Sequence, residues 1–234
     1  MKFPRLLLAC LLLGASALAG AAEPPARRPI GDVLINEFVH DIQRSSPDEN
    51  RFDIVWWMPS EFWMRSMTGQ ASDSDMKEVR DLFEKFIVVA VVDGEIGALG
   101  MRSYASEADL RESLRMIDAK GERIAPIAAN KMDPRLVTLT RVLRPMLTSL
   151  IGPAGENMHF FAFPGKTSSG ARVADPYGNG KLTFGISERR YEFRMPLPSL
   201  LMPKRDPATG DEFPGSYDFN PYTGARLEIA PSSN

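Results

Sequence analysis

The chain has 234 residues, of which 44% are hydrophobic and 25% charged, and its formal net charge is −2. This charge is too small to predict nucleic acid or an anionic membrane as a partner. The length allows one sizeable hydrophobic core, and the single cysteine, Cys10, excludes an internal disulfide.

The N-terminus has the organisation of a secretory signal peptide. Lys2 and Arg5 precede an unbroken apolar run over residues 6–13, and small residues follow this run. Signal peptidase requires small side chains before the cut. We therefore predict that residues 1–21 are a signal peptide cleaved after Ala21, with cleavage after Ala19 as a second candidate.

Two other interpretations of this segment stay open: an uncleaved anchor and lipid attachment at Cys10. The apolar run is shorter than the roughly 20 residues of a spanning helix, and Cys10 lies inside the run rather than after it. Cleavage leaves 26 basic and 30 acidic residues, a formal charge of −4. We expect a periplasmic or secreted protein, by default periplasmic, with no membrane span after cleavage.

A proline- and arginine-rich segment, residues 22–30, is predicted to be a flexible leader. A globular domain is predicted over residues 31–202. At its start, Leu34, Phe38 and Ile42 recur every four residues, which favours a short helix, although a strand is an alternative there.

A strand and two helices are predicted next. Residues 52–58 are rich in aromatic and β-branched side chains, as strands are. Ser60 is a candidate cap for a short helix through about Met67. Ser72 and Asp75 have the spacing of a capping box, which predicts a helix with this apolar stripe: Met76, Val79, Leu82, Phe83, Phe86.

A hairpin is predicted around Asp93-Gly94. Residues 87–92 are β-branched and apolar, and residues 95–104 form a second strand-like run. Asp-Gly between two such runs indicates a tight turn, because both turn positions require positive φ.

The middle of the chain is predicted to be mixed. Ser106 and Asp109 form a second capping-box pattern, followed by a strand over residues 121–128. Asp133 and Pro134 begin the longest helix, with proline at its first position. One face of it is apolar: Leu136, Leu139, Leu143, Met146, Leu147, Leu150.

After residue 155 the pattern changes from helical to alternating. Residues 158–163, 181–186 and 191–195 are predicted strands, the last two joined as antiparallel neighbours. Helices and strands mix without regular alternation. We therefore predict an α+β fold with mostly antiparallel strands and a β-rich second half.

The C-terminal segment, residues 203–234, contains a repeat. The sequence Asx-Pro-x-Thr-Gly occurs at residues 206–210 and again at 220–224. The Asx side chain, the fixed φ of proline and the positive φ of glycine each favour a tight turn, which predicts two small hairpins. The turn-forming residues are Asp206, Pro207, Gly210, Asn220, Pro221 and Gly224.

This repeat resembles a zinc ribbon, in which two Cys-Pro-x-Cys-Gly turns face each other and hold zinc. Asp206, Thr209, Asn220 and Thr223 stand where the four cysteines would be. The resemblance, over residues 203–227, therefore implies a degenerate ribbon without metal; two ordinary hairpins are the alternative. Asp206, Asp211, Asp218 and Asn220 carry oxygen donors that suit calcium, but their spacing does not match an EF-hand loop; solvated turn residues are the simpler interpretation.

No catalytic motif stands out, and no cofactor is predicted. Glu37 and His40 have the i, i+3 spacing that places both side chains on one helix face. His159 is the second histidine of the chain. A metal-dependent or acid–base hydrolase using these three residues is the alternative function; a half-buried structural histidine is the simpler interpretation of His159.

An aromatic and methionine cluster is the candidate binding site. It comprises Trp56, Trp57, Trp63 and Met64. If exposed, such side chains suit an apolar ligand or a protein partner; core packing is the alternative. We expect an exported, non-enzymatic binding or envelope-accessory protein.

Overall fold

The computed structural model describes residues 25–118 and 121–230, so the predicted signal peptide lies outside the described residues. The helices are α1 (Ile35–Ile42), α2 (Ser60–Met67), α3 (Asp73–Lys85), α4 (Glu107–Ser113), α5 (Pro134–Ile151) and α6 (Pro153–Glu156). The strands are β1 (Gln43–Arg44), β2 (Arg51–Trp57), β3 (Phe86–Gly97), β4 (Gly100–Tyr104), β5 (Leu114–Ile117), β6 (Arg123–Ile124), β7 (His159–Pro164), β8 (Gly180–Ile186), β9 (Arg189–Met195), β10 (Lys204–Arg205), β11 (Glu212–Phe213) and β12 (Glu228–Ile229).

These strands form three antiparallel sheets. In the first, β3 pairs with β2 along one edge, while β7 and β4 share its other edge, and β1 extends the sheet beyond β2. The second sheet has the order β6-β5-β8-β9, and the small third sheet, in the C-terminal tail, has the order β11-β10-β12. The predicted α+β class is confirmed.

Local capping chemistry placed two helices correctly. Ser72 accepts a hydrogen bond from the amide of Asp75, whose side chain bonds back to the Ser72 amide, and Ser106 and Asp109 form the same reciprocal pair. Both helices end directly before a strand: Phe86 is the first residue of β3, and Leu114 is the first residue of β5. Phe86, predicted as the last residue of the helical stripe, therefore lies in a strand.

The predicted hairpin exists, but its turn is elsewhere. Asp93 and Gly94 lie inside β3, and the turn is formed by Ala98 and Leu99, between the paired residues Gly97 and Gly100. Gly94 does not have the positive φ that an Asp-Gly turn requires. The prediction of the turn at Asp93-Gly94 is therefore wrong.

Packing explains why an Asp-Gly pair occurs inside a strand. Asp93 is buried and lies directly opposite Asp53 in β2. A Cβ atom on Gly94 would lie 2.9 Å from Met101 Sδ and 3.0 Å from the Ser103 carbonyl oxygen. The glycine is required because β4 approaches closely, rather than for a turn.

Two further expectations need correction. The strand predicted over 121–128 is reduced to Arg123–Ile124. Met146 was expected to face inward with Leu147, but Met146 is 58% exposed while Leu147 is buried. Adjacent helical residues are rotated by about 100°, and in α5 the core contacts Leu136 and Leu147 rather than the face that carries Met146.

The leader segment forms backbone hydrogen bonds with the globular domain. The amide of Arg28 donates to the Leu200 carbonyl, and the amide of Met202 donates to the Ala26 carbonyl. An isolated bridge joins Arg27 and Leu201. This pairing differs from the predicted flexible leader and places it beside the point where the tail begins.

Most of the buried apolar side chains form one cluster, which extends from α1 through the first sheet to β8 and β9. Within the described ranges, no helix has the combined length and hydropathy that a bilayer span requires.

Candidate functional site

A cavity of about 600 Å³ lies where the C-terminal tail meets the main domain. The leader, α1, the single helical turn at Pro198–Leu200 and the tail around β11 each contribute to its wall. The lining residues are Arg28, Asn36, Glu37, His40, Asp41, Pro198, Ser199, Pro203, Glu212, Phe213, Pro214 and Gly215. Cavities of this size hold small-molecule ligands in many proteins.

Asp41 and Ser199 form a polar pair in this wall. The Ser199 amide donates to Asp41 Oδ2 at 2.8 Å. Ser199 is 5% exposed, and its Oγ has no hydrogen-bond partner among the described residues. A buried hydroxyl without a partner costs free energy of roughly 1–3 kcal/mol. The Oγ is shielded from solvent, so a bound group gains this hydrogen bond when the Ser199 side chain turns toward the cavity.

Charged side chains form ion pairs at the cavity. Arg28 donates to Glu37 at 3.0 Å, so these two charges offset each other. Arg205 pairs with Glu212 at 3.2 Å. Asp41 makes no salt bridge within the part of the chain that the structure describes. The polar side chains left for a ligand are therefore those of Asn36, His40, Asp41 and Ser199, which offer both donors and acceptors.

Apolar side chains from the tail complete the wall. Pro203, Phe213 and Pro214 lie on the tail side, and Pro198 lies beside Ser199 on the domain side. Such a combination of apolar surface and few polar groups is typical of ligand sites, where the polar groups fix orientation.

The structure brings together two of the three residues of the predicted hydrolase site. Glu37 and His40 share the cavity wall, as their spacing indicated. His159 is not among its lining residues; it lies on β7, with its Nδ1 4.0 Å from Glu107. Over residues 25–118 and 121–230 no group of three or more His, Cys, Asp or Glu side chains is arranged to hold a metal.

Burial lowers the pKa of His159, and the positive charge of Arg144 lowers it further, while Glu107 opposes the shift. The folded protein therefore favours neutral His159. As pH falls below the unfolded value of about 6.5, the unfolded chain binds a proton that the folded protein resists, and stability is lost.

We expect His159→Gln to reduce the loss of stability between pH 7.5 and 5.5. The slope for one proton is at most about 1.4 kcal/mol per pH unit. Urea unfolding across this pH range measures the effect, with His40→Gln as the control because His40 is exposed. Equal pH dependence in both variants would show that His159 titrates in the same way in the folded and unfolded states.

The predicted aromatic binding cluster lies in the interior. Trp57, Trp63 and Met64 are buried, and Trp56 is partly buried against the core. Trp63 stacks on Phe83 with ring centroids 4.9 Å apart. Trp57 packs against Phe193 of β9, with ring centroids 5.9 Å apart. These residues do not form an exposed surface, and core packing accounts for their positions.

The two tail turns face each other. Asn220 Nδ2 donates to Asp206 Oδ2 at 2.6 Å, and both residues are buried. The hydrogen bond from Asn220, followed by the one from the Ala208 amide, lowers the pKa of Asp206. The carboxylate and the amide thus join the turns at the positions where the resemblance places metal ligands.

Two hydrogen bonds of the first turn have equivalents in the second. The amide of Gly210 donates to the Asp206 carbonyl at 2.8 Å, and that of Gly224 donates to the Asn220 carbonyl at the same distance. The Ala208 amide donates to Asp206 Oδ1, as the Tyr222 amide does to Asn220 Oδ1. The predicted turn chemistry is therefore present at both sites.

A buried ionic network links the first and second sheets. Arg189 from β9 donates to Asp53 Oδ2 at 2.6 Å and to Asp93 Oδ2 at 2.5 Å. Tyr191 donates to Asp53 Oδ2 at 2.7 Å, and Arg51 donates to Asp93 Oδ1 at 2.6 Å. Each carboxylate is thereby paired with an arginine.

Burial alone would raise the pKa of Asp53, but hydrogen bonds from Tyr191 and Ser46 and the charge of Arg189 outweigh it and lower the pKa. Burial and the hydrogen bond to Asp53 raise the pKa of Tyr191. The network holds fixed charges and no free acid or base, and it lines none of the described cavities. Its role is to join the sheets.

Comparison with protein-family models, with curated proteins and with solved structures found no match to this chain. The case for a function therefore depends on the site itself.

Proposed function

We propose that this protein is an exported, periplasmic, non-enzymatic binding protein, and that it holds a small ligand in the cavity between α1 and the C-terminal tail. The observation that carries this proposal is the unpartnered, buried Ser199 hydroxyl beside Asp41. The signal-like N-terminus supports export.

The composition of the cavity supports binding more than chemistry. Its one arginine, Arg28, is paired with Glu37, which leaves no free cation among the lining residues to stabilise a developing negative charge. The tail walls contribute proline and phenylalanine, which bury apolar surface of a ligand. Asp41 and Ser199 then provide orientation.

A second candidate is an acid–base or metal-dependent hydrolase. It is favoured by one observation: Glu37 and His40 share the same cavity wall. His159 lies outside that wall, so this candidate would need its remaining group from Asp41 or Glu212. Both candidates use the same cavity, and one experiment separates them.

We further propose that the tail is a ribbon in which a carboxylate–amide hydrogen bond replaces the metal. The 2.6 Å bond between Asp206 and Asn220 supports this proposal, as does the three-stranded tail sheet. Such a tail would provide one rigid wall of the cavity.

Native mass spectrometry of the mature protein, taken from its own cell envelope, tests the binding proposal. We expect a mass excess that corresponds to a small organic molecule. Asp41→Asn and Ser199→Ala should each lower its retention about tenfold, since a lost polar contact costs about 1–1.5 kcal/mol. Asp32→Asn is the matched control, because Asp32 is exposed and does not line this cavity.

The outcomes are distinct. A bound metal ion in place of an organic molecule, lost in His40→Ala, would support the hydrolase. A bare mass in every preparation would contradict the binding proposal. The measured start residue also tests the predicted cleavage after Ala21.

A further inference from the structure

A larger cleft, of about 980 Å³, adjoins the cavity between α1 and the tail. The two spaces share Arg28, Pro203 and Glu212 in their walls. The cleft is bounded by the leader, the C-terminal end of α2 and the first residues of the tail. Its charged lining residues are four arginines and two acids: Arg27, Arg28, Arg65, Arg205, Asp32 and Glu212. This excess of basic residues contrasts with the negative net charge of the chain.

Two of these arginines have no carboxylate partner. Arg28 and Arg205 each form a salt bridge with a glutamate, at 3.0 and 3.2 Å. Arg27 and Arg65 form no ion pair with any of the described residues. Among the acids that line the cleft, Asp32 alone makes no salt bridge within the described part of the chain, and it is exposed. The lining therefore keeps two free cations against one free carboxylate.

The Arg65 side chain is held in position before any ligand binds. Its Nε donates to the Val33 carbonyl, and Arg65 is half-buried. The four N–H groups on Nη1 and Nη2 have no hydrogen-bond partner among the residues that the structure describes. A guanidinium group presents such N–H groups as a planar fork that fits the oxygen atoms of a carboxylate or a phosphate. An anion would therefore bind here with little further loss of side-chain entropy.

Arg27 is held by a different contact. Its guanidinium carbon lies 4.2 Å from the centroid of the Tyr177 ring, and a backbone bridge joins this residue to Leu201. The Arg27 side chain donates no hydrogen bond to a described residue, so its N–H groups remain for an anion. The cleft thus has two positioned cations on separate segments, the leader and α2.

We propose that this cleft binds a small polyanion, a molecule with two or more phosphate or carboxylate groups, through Arg65 and Arg27. A space of this size accommodates a small organic molecule, and two separate cations suit a ligand with more than one anionic group. Asp32 opposes binding, because its carboxylate repels the ligand. The site is separate from that of the proposed function, since neither arginine lines the cavity between α1 and the tail.

The setting of the free cations favours a small molecule over a nucleic acid or an anionic membrane. Those partners present many phosphates and are bound by clusters of exposed basic side chains. Here Arg65 is half-buried in a cleft whose lining also carries Asp32. The small net charge of the chain agrees with this choice.

Isothermal titration calorimetry of the mature protein at low ionic strength tests the proposal, with pyrophosphate and citrate as the probes. We expect at least one probe to bind, and the stronger one identifies phosphate or carboxylate groups as the preferred ligand chemistry. Arg65→Gln should weaken binding about tenfold or more, because charge-assisted hydrogen bonds are lost. Arg65→Lys keeps the charge without the planar fork and should weaken binding less. Asp32→Asn should strengthen binding about twofold.

Two controls accompany these variants. Arg102→Gln removes the same charge from an exposed residue of β4 that does not line the cleft, and it should leave anion binding unchanged. Asp41→Asn alters only the neighbouring cavity, where it should lower ligand retention without weakening anion binding. The two sites can therefore fail independently of each other.

The proposal is overturned if neither probe binds, or if Arg102→Gln weakens binding as much as Arg65→Gln does. Loss of anion binding in Asp41→Asn would also overturn it, since the anion would then occupy the cavity between α1 and the tail. Circular dichroism checks the folding of each variant. If Arg65→Gln does not fold, the exposed Asp32 still provides the test, because unchanged or weaker anion binding in Asp32→Asn contradicts the proposal.

Discussion

Replacing Arg189 by alanine is expected to lower the free energy of unfolding by about 3–5 kcal/mol, the usual effect of removing one partner from a buried ion pair. Asp53 and Asp93 lie opposite each other on neighbouring strands, and like charges at such positions repel. Arg189 bonds to both carboxylates and is the only cation paired with Asp53 in the described residues. Without it, Asp53 keeps only neutral donors, Tyr191 and the Ser46 amide.

Urea unfolding followed by tryptophan fluorescence measures this loss. Arg190→Ala is the matched control, because the neighbouring arginine is exposed and makes no salt bridge within the described residues. We expect the control to unfold within about 0.5 kcal/mol of the wild type. If Arg189→Ala and Arg190→Ala unfold at the same urea concentration, the network does not hold the two sheets together.

Replacing Gly215 by alanine is expected to destabilise the protein by about 1–3 kcal/mol and to abolish ligand retention. A Cβ atom at this position would overlap the Met202 carbonyl oxygen and lie 2.6 Å from Leu201 Cβ. Overpacking of this kind forces the backbone apart. Gly215 lines the cavity, so the tail can relieve the clash only by moving away from the domain and opening the site.

Gly31→Ala is the control for this substitution. Its new Cβ would meet only Thr68 Cγ2, at an ordinary contact distance of 3.8 Å. Thermal unfolding and native mass spectrometry should show the control unchanged. A stable Gly215→Ala protein that retains its ligand would mean that the tail does not form a fixed wall of the site.

Elements defined by neighbouring residues could be predicted from the sequence. The capping boxes at Ser72 and Ser106 and the paired turns of the tail depend on residues only a few positions apart. The position of the hairpin turn could not be predicted from Asp93-Gly94, because contacts with residues far along the chain hold this pair inside β3. Arg189, 96 residues away, neutralises Asp93 and makes a strand position possible for it.

In the candidate site, too, contacts between neighbouring residues could be predicted from the sequence, and contacts between distant residues could not. Glu37 and His40 share a helix face, and their i, i+3 spacing indicated this. Asp41 and Ser199 are 158 residues apart, and no periodicity signals their contact. Ser199 lies in an apolar segment that resembles any buried turn. The tryptophans were predicted to form a surface, but their burial depends on distant residues: Trp57 packs against Phe193 and Trp63 against Phe83.

Hydrogen exchange on the mature protein, as isolated and after removal of any bound molecule by unfolding and refolding, tests the central claim most directly. We predict that the stripped protein exchanges faster in the segments that line the cavity, residues 36–41, 198–203 and 212–215. The strand core of β3 and β8 should be unchanged. Identical exchange in both samples, or a change confined to segments away from this cavity, would contradict the claim that the space between α1 and the tail is the ligand site.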